Sequence, residues 1–126
     1  MNKARREKIE RRKALEAWSR EVRKWDEGKC QMCGSVKFIQ AHHIIPKELP
    51  DTRLDIENGL SICCGCHKYN RKRSPHKNAL YFSAWLMRHK PVQYNYLIWK
   101  INEQLWNEQQ AKEKQDSGKE DLRQAY

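Results

Sequence analysis

The sequence predicts an α+β fold in which a small two-stranded core lies between a basic N-terminal helix and C-terminal helices. Three observations carry this reading. Apolar residues recur at helical spacing near both ends of the chain, two short apolar runs flank a Pro- and Gly-punctuated loop, and two Cys-x-x-Cys pairs interleave with those runs. A chain of 126 residues allows one domain with a thin core, so the middle segment needs support from outside its own apolar residues.

Residues 3–26 read as a helix, within a basic N-terminal region spanning 1–28. Leu15, Trp18, Val22 and Trp25 form one stripe, and the other faces are Arg, Lys and Glu. Before Leu15 the stripe fades to Ile9, so the first turns are expected to project into solvent or onto a partner. Gly28 is a stop signal. Residues 38–42 and 60–62 read as short strands, and 46–59, with Pro46, Pro50, Asn58 and Gly59, as a long loop of the kind that often carries function. Residues 63–72 read as a short helix. Ser74-Pro75 looks like an N-cap and first helical turn, opening a helix to about His89 with Leu80, Phe82, Trp85 and Leu86 inward. Pro91 opens another, with Tyr94, Leu97, Ile98, Ile101, Leu105 and Trp106 on one face. Residues 74–115 are thus the C-terminal helices, and 116–126 are expected to be a disordered tail. The five tryptophans all fall on these helices, where packing is the simpler role. Trp99 and Trp106, two turns apart, also fit the face of a homodimer.

The formal charge is +10, unevenly placed. Residues 1–25 hold ten Lys/Arg against four Glu, and residues 63–90 hold seven Lys/Arg and no acid. Two basic blocks on a small protein suit a polyanion such as nucleic acid. Mean hydropathy is −1.08 and no apolar run approaches the roughly 18 residues of a spanning helix. The N-terminus lacks the apolar stretch of a signal peptide, so the expected location is the reducing cytoplasm. There, five cysteines do not read as a disulfide framework.

Cys30-x2-Cys33 and Cys63-x2-Cys66 have the spacing of a four-thiolate zinc site, each pair on a tight turn. Four thiolates leave no open position, so this zinc is structural, and it supplies folding free energy that the thin core lacks. Cys64 is left over as a half-buried thiol. If the two strands pair, the zinc ties the first to the start of the helix that follows the second. His67 then faces the strand bearing His42, and two imidazoles converge with coordination positions to spare. That suits a divalent cation holding a phosphate oxygen. His43, next on the strand, points to the other face unless the strand ends there. His76 and His89 read as surface residues.

His42-His43-Ile44, Asn58 and Cys66-His67, interleaved with the two cysteine pairs, resemble the HNH endonucleases of the ββα-metal type, in the four-cysteine branch found in bacteriophages and bacteria. The resembling segment runs over residues 30 to about 71, within a core of 29–73. Residues 78–94 are faintly similar to phage recombination nucleases.

The resemblance implies roles. His42 and His67 hold the catalytic metal, Mg²⁺ or Mn²⁺. Histidine where many relatives carry aspartate shifts preference toward manganese or nickel. His43 is the general base, and Asn58 holds the loop and orients the His43 ring. Lys47, Lys68, Arg71, Lys72 and Arg73 are candidates for DNA phosphates. The implied reaction is hydrolysis of DNA phosphodiesters to 5′-phosphate and 3′-hydroxyl ends. DNA is the expected partner, with a homodimer or phage packaging or recombination proteins as further candidates, inside a bacterial or phage-infected cell. The alternative is a zinc-ribbon-like module that binds nucleic acid or protein without cutting.

Overall fold

The structure, a computed structural model, describes the backbone of residues 1–124 and the side chains of residues 1–117. The fold is α+β. Helix α1 (Lys3–Trp25) leads to strand β1 (Ile39–His43), a single 3₁₀ turn (Ile56–Asn58), strand β2 (Gly59–Cys63), one wide π-type turn (Gly65–Tyr69), and helices α2 (Ala79–His89) and α3 (Pro91–Gln124).

α1 begins where Asn2 Oδ1 accepts the Arg5 N–H at 2.9 Å, a side-chain cap for an otherwise orphaned donor. It ends with Gly28 at φ 66°, whose N–H reaches back to the Arg23 carbonyl. Only the C-terminal half is seated. Trp18 and Val22 are buried, while Trp25 is 80% exposed. Their seat is the sheet: Asp26 Oδ2 accepts the Ser61 N–H at 2.8 Å, and Trp18 Nε1 donates to the Asp55 carbonyl at 2.7 Å. Gly59 is required at this contact. A Cβ there would meet the Trp18 ring at 2.9 Å and both Val22 methyls.

β1 and β2 pair antiparallel, with Gln40 opposite Ile62, His42 opposite Leu60 and His43 opposite Gly59. β1 starts one residue later than the apolar run suggested, because Phe38 sits in the left-handed region (φ 55°) with its ring in solvent. The core gathers Leu60, Ile62, Ile45, Phe82, Leu86 and Leu97 around Cys30 and Cys66, so the cysteine cluster and the apolar core are one body.

Three expectations for the C-terminal half need correction. The helix foreseen over 63–72 shrinks to the single wide turn, after which Asn70 Oδ1 accepts the N–H groups of Lys72 and Arg73. Ser74 caps no long helix. Its hydroxyl donates to the His67 carbonyl at 2.6 Å and accepts the His76 N–H, forming a local turn, and α2 opens instead on Asn78, which accepts the Tyr81 N–H. Leu80 consequently faces solvent at 83% exposure while Phe82 and Leu86 are buried. On α3, Leu97 is buried but Trp99, Leu105 and Trp106 are exposed, so packing does not account for these tryptophans. Gln93 and Tyr96 pin α3 to the loop through the Glu57 and Gly59 carbonyls and the Asp55 carboxylate.

α3 also runs on to Gln124, past residue 116 where disorder was expected. Its later turns are rich in strong helix formers, and Gln104–Glu108 and Gln109–Glu113 bond at i,i+4 spacing. Residues 125–126 lie outside the described residues. Among the described residues, no helix is long and apolar enough to cross a membrane.

Candidate metal centre and active site

The four paired cysteines meet where the turn after α1 faces the end of β2. Cys30, Cys33, Cys63 and Cys66 place all four sulfurs within 4.8 Å of one another, and Cys33 Sγ and Cys63 Sγ are 3.6 Å apart. Sulfurs about 2.3 Å from a tetrahedral zinc would be roughly 3.8 Å apart, so the cluster fits that ion. The backbone N–H groups of Cys33 and Cys66 point at the sulfurs of Cys30 and Cys63, as the two-residue spacing requires. Burial works to raise the Cys30 thiol, but N–H groups of Cys63, Cys33 and Met32 outweigh it and bring the pKa down to about 7. Burial and the neighbouring thiols push Cys66 up. Without a cation this cluster cannot carry four thiolates, and a dication resolves that conflict. Cys64 is half-buried and outside the cluster.

The second cluster is built on the inner face of β1. Strand alternation puts Gln40 and His42 on one face. His67, on the wide turn, donates from Nδ1 to Gln40 Oε1 at 2.7 Å, which leaves its Nε2 with the lone pair. Two other ring nitrogens approach that same atom: His42 Nδ1 at 3.0 Å and His76 Nε2 at 2.9 Å. One lone pair cannot accept two donors well, whereas three lone pairs aimed at one point suit a cation. An octahedron with bonds of about 2.0–2.1 Å has edges of about 2.9 Å, which matches both separations. Burial lowers His42 to about 3, aided by His67, His76 and His43, and burial with His76 and Lys68 lowers His67 to about 4. Both rings are therefore neutral near pH 7, the form that binds metal.

His76 is a correction. It reads in the sequence as a surface residue, yet it completes this triad although its side chain is exposed. Ser74 makes the difference, because its hydroxyl ties the His67 carbonyl to the His76 N–H. Replacing His76 by Ala is expected to weaken Mn²⁺ binding by about tenfold or more, on the scale of losing a supporting partner, with zinc content unchanged. Calorimetric titration checks this, and an unchanged affinity would leave the site with two histidines.

β1 ends at His43, which faces the opposite side of the strand from His42 and still lines the same cavity of about 660 Å³ with His42, His67, His76 and Lys47. His43 Nε2 donates to the Arg53 carbonyl at 2.9 Å, which leaves Nδ1 as the basic nitrogen. Its other face stacks on Trp18, with ring centres 3.7 Å apart and planes 11° from parallel. Burial lowers its pKa below the ordinary imidazole value, against the pull of the Arg53 carbonyl.

Asn58 is fully buried and does not touch the His43 ring. Oδ1 accepts the Ile45 N–H at 2.6 Å, and Nδ2 donates to the Ile45 and Thr52 carbonyls. It clips the loop shut, and the ring orientation expected of it falls to the Arg53 carbonyl instead. Asn58→Ala leaves buried partners unpaired, so a loss of about 3 kcal/mol is expected in urea unfolding. A loss below about 1 kcal/mol would show that the loop is held by other contacts.

The basic candidates scatter. Lys47 lines the histidine cavity. Lys68 and Arg71 are exposed, and Lys72 lies over the Tyr81 ring at 5.7 Å. Arg73 is half-buried with its Nε unpartnered. Gln40, Trp18 and Arg53 were not foreseen as site residues. Only Gln40 had a sequence signal, two residues before His42 on the same strand face.

A two-stranded core joined by four clustered cysteines, with a histidine cluster and a further histidine in one cavity, is an α+β unit with two groups of side chains that could hold metal. Residues 30–73 match the family model described as HNH endonuclease, a similarity over that segment that supports a nuclease-type function in general. No curated protein matches the chain, and no solved structure does.

Proposed function

We propose that this protein is a metal-dependent endonuclease that hydrolyses DNA phosphodiester bonds. One observation carries the reading: three convergent imidazoles and a separately held fourth, His43, face one cavity. His42, His67 and His76 would hold a divalent cation, which would supply positive charge near the scissile phosphate and the leaving 3′ oxygen. Three neutral imidazoles without a carboxylate favour Mn²⁺ or Ni²⁺ over Mg²⁺. The four cysteines hold structural zinc.

His43 Nδ1 accepts a proton from the attacking water while its Nε2–H stays on the Arg53 carbonyl. The new P–O bond forms in line with the breaking bond to the 3′ oxygen, giving 5′-phosphate and 3′-hydroxyl ends. Lys47, at the cavity rim, holds a flanking phosphate, and Lys68 and Arg71 extend that contact along the backbone. The positive blocks at residues 1–25 and 63–90 support a nucleic-acid substrate.

Supercoiled plasmid incubated with Mn²⁺ or Mg²⁺, beside a chelator control, tests the proposal. Metal-dependent nicking or linearisation is the expected result. A gel shift without cutting under all metals would replace it with the non-cleaving binding module.

A further inference from the structure

The HNH match begins at residue 30, yet a side chain from α1 forms one wall of the base. We propose that Trp18 is a positioning residue for His43, resting on the nuclease reading above: its indole face and the Arg53 carbonyl together hold the imidazole in one orientation and one tautomer. Three contacts carry this. The indole and imidazole are parallel and in contact, at 3.7 Å and 11°. The indole is itself immobilised, buried to 5% exposure with Nε1 donating to the Asp55 carbonyl. Asp55 lies two residues beyond Arg53, so one short loop segment holds both rings. The strand beneath is cut to fit, since Gly59, the register partner of His43, has no space for a Cβ under Trp18 and Val22.

An imidazole with one hydrogen bond can still swing about that bond. The indole face removes this freedom, keeping the lone pair of Nδ1 in a fixed plane toward the cavity. An aliphatic side chain of similar bulk fills the space without a flat surface. Trp18 touches neither water nor phosphate in this role.

The experiment uses the full chain with zinc bound. Trp18→Leu is expected to lower kcat by about tenfold to a hundredfold, the scale of a misplaced catalytic group. KM for plasmid and affinity for Mn²⁺ should stay within about twofold, since neither rests on this contact. Trp18→Phe restores a flat ring without the N–H and should recover at least about threefold of the loss, because the face is what orients the ring. Independently of cleavage, long-range proton–nitrogen NMR of the zinc-loaded protein should show His43 as a single Nε2–H tautomer with ring-current-shifted carbon-bound protons. Trp18→Leu should lose the ring-current shift and broaden the ring signals as the imidazole swings, while the Nε2–H tautomer held by the Arg53 carbonyl stays, and Trp18→Phe should keep part of the shift with sharp signals.

A folded Trp18→Leu with wild-type kcat overturns the proposal. So does a kcat loss shared equally by Leu and Phe with the His43 signals unchanged, which would mark a merely structural role. If the Leu variant fails to fold, the Phe variant decides by the same ring signals. If the wild type cuts nothing, the nuclease reading fails on its own. The tautomer and ring-current data then still uphold or remove the positioning contact.

Discussion

Replacing His43 by Ala is expected to lower plasmid cleavage by about a thousandfold, within the range contributed by a general base. The fold should survive, because the ring is half-buried and is held by one hydrogen bond and one stacking face. Zinc content and Mn²⁺ affinity should also survive, because His43 belongs to neither cluster. The pH dependence gives a second check. Burial lowers the His43 pKa, and the base must be neutral to accept a proton. Cleavage should therefore rise with pH through a value below the ordinary 6.5 and level off above it. Rates measured from pH 4.5 to 8 in the wild type settle the point. A His43→Ala protein that cuts at near wild-type rate would remove His43 as the base.

Stripping the zinc is expected to unfold the core altogether. The binding free energy of a structural four-ligand zinc is of order 10 kcal/mol, comparable to the whole stability of a domain this size. The geometry makes the dependence direct. Cys30 and Cys66 are each 2% exposed and belong to the same cluster as Leu60, Ile62 and Phe82. Cys66→Ser removes a ligand and puts a hydroxyl into apolar surroundings, with His67 on the next residue. Metal analysis of the wild type should give about one tightly held zinc per chain if four thiolates close one site. In the variant, or after strong chelation, the dispersed NMR signals of Trp18, Leu60 and Phe82 should collapse. A chelated protein that keeps that dispersion would mean the apolar core stands by itself.

The cysteine pairs and the two strand segments were legible because each is local. Two-residue spacing between cysteines favours a tight turn whatever the remainder of the chain does, and Leu60-Ser61-Ile62 is short and apolar enough for a buried strand. The meeting of His42 with His67 followed from those two facts together. Errors arose where one residue type serves two purposes. Ser74 before Pro75 carries the marks of a helix cap, but its hydroxyl found the His67 carbonyl first. Trp25, Trp99 and Trp106 sit on helical stripes but are exposed, Trp99 even though Leu97 and Ile101 on either side of it pack on the core. Asn58 holds its loop as expected, and its amide is fully used there, so none of it is left for the His43 ring.

By itself, then, the sequence determined the α+β class, the two cysteine pairs, the two strand segments and the opposite directions of His42 and His43. Each depends on spacing within a few residues or on the period of a strand. The tertiary structure alone decided that His76 converges with His42 and His67, that the Arg53 carbonyl selects the tautomer of His43, and that Trp18 covers its face. Two of those pairs, Trp18 with His43 and His42 with His76, join residues 25 or more positions apart in the chain. The physical reason is that such contacts are set by how α1 and the loops settle on the sheet, through Gly59, Asp55 and Ser74, and a packing geometry leaves no period in the sequence.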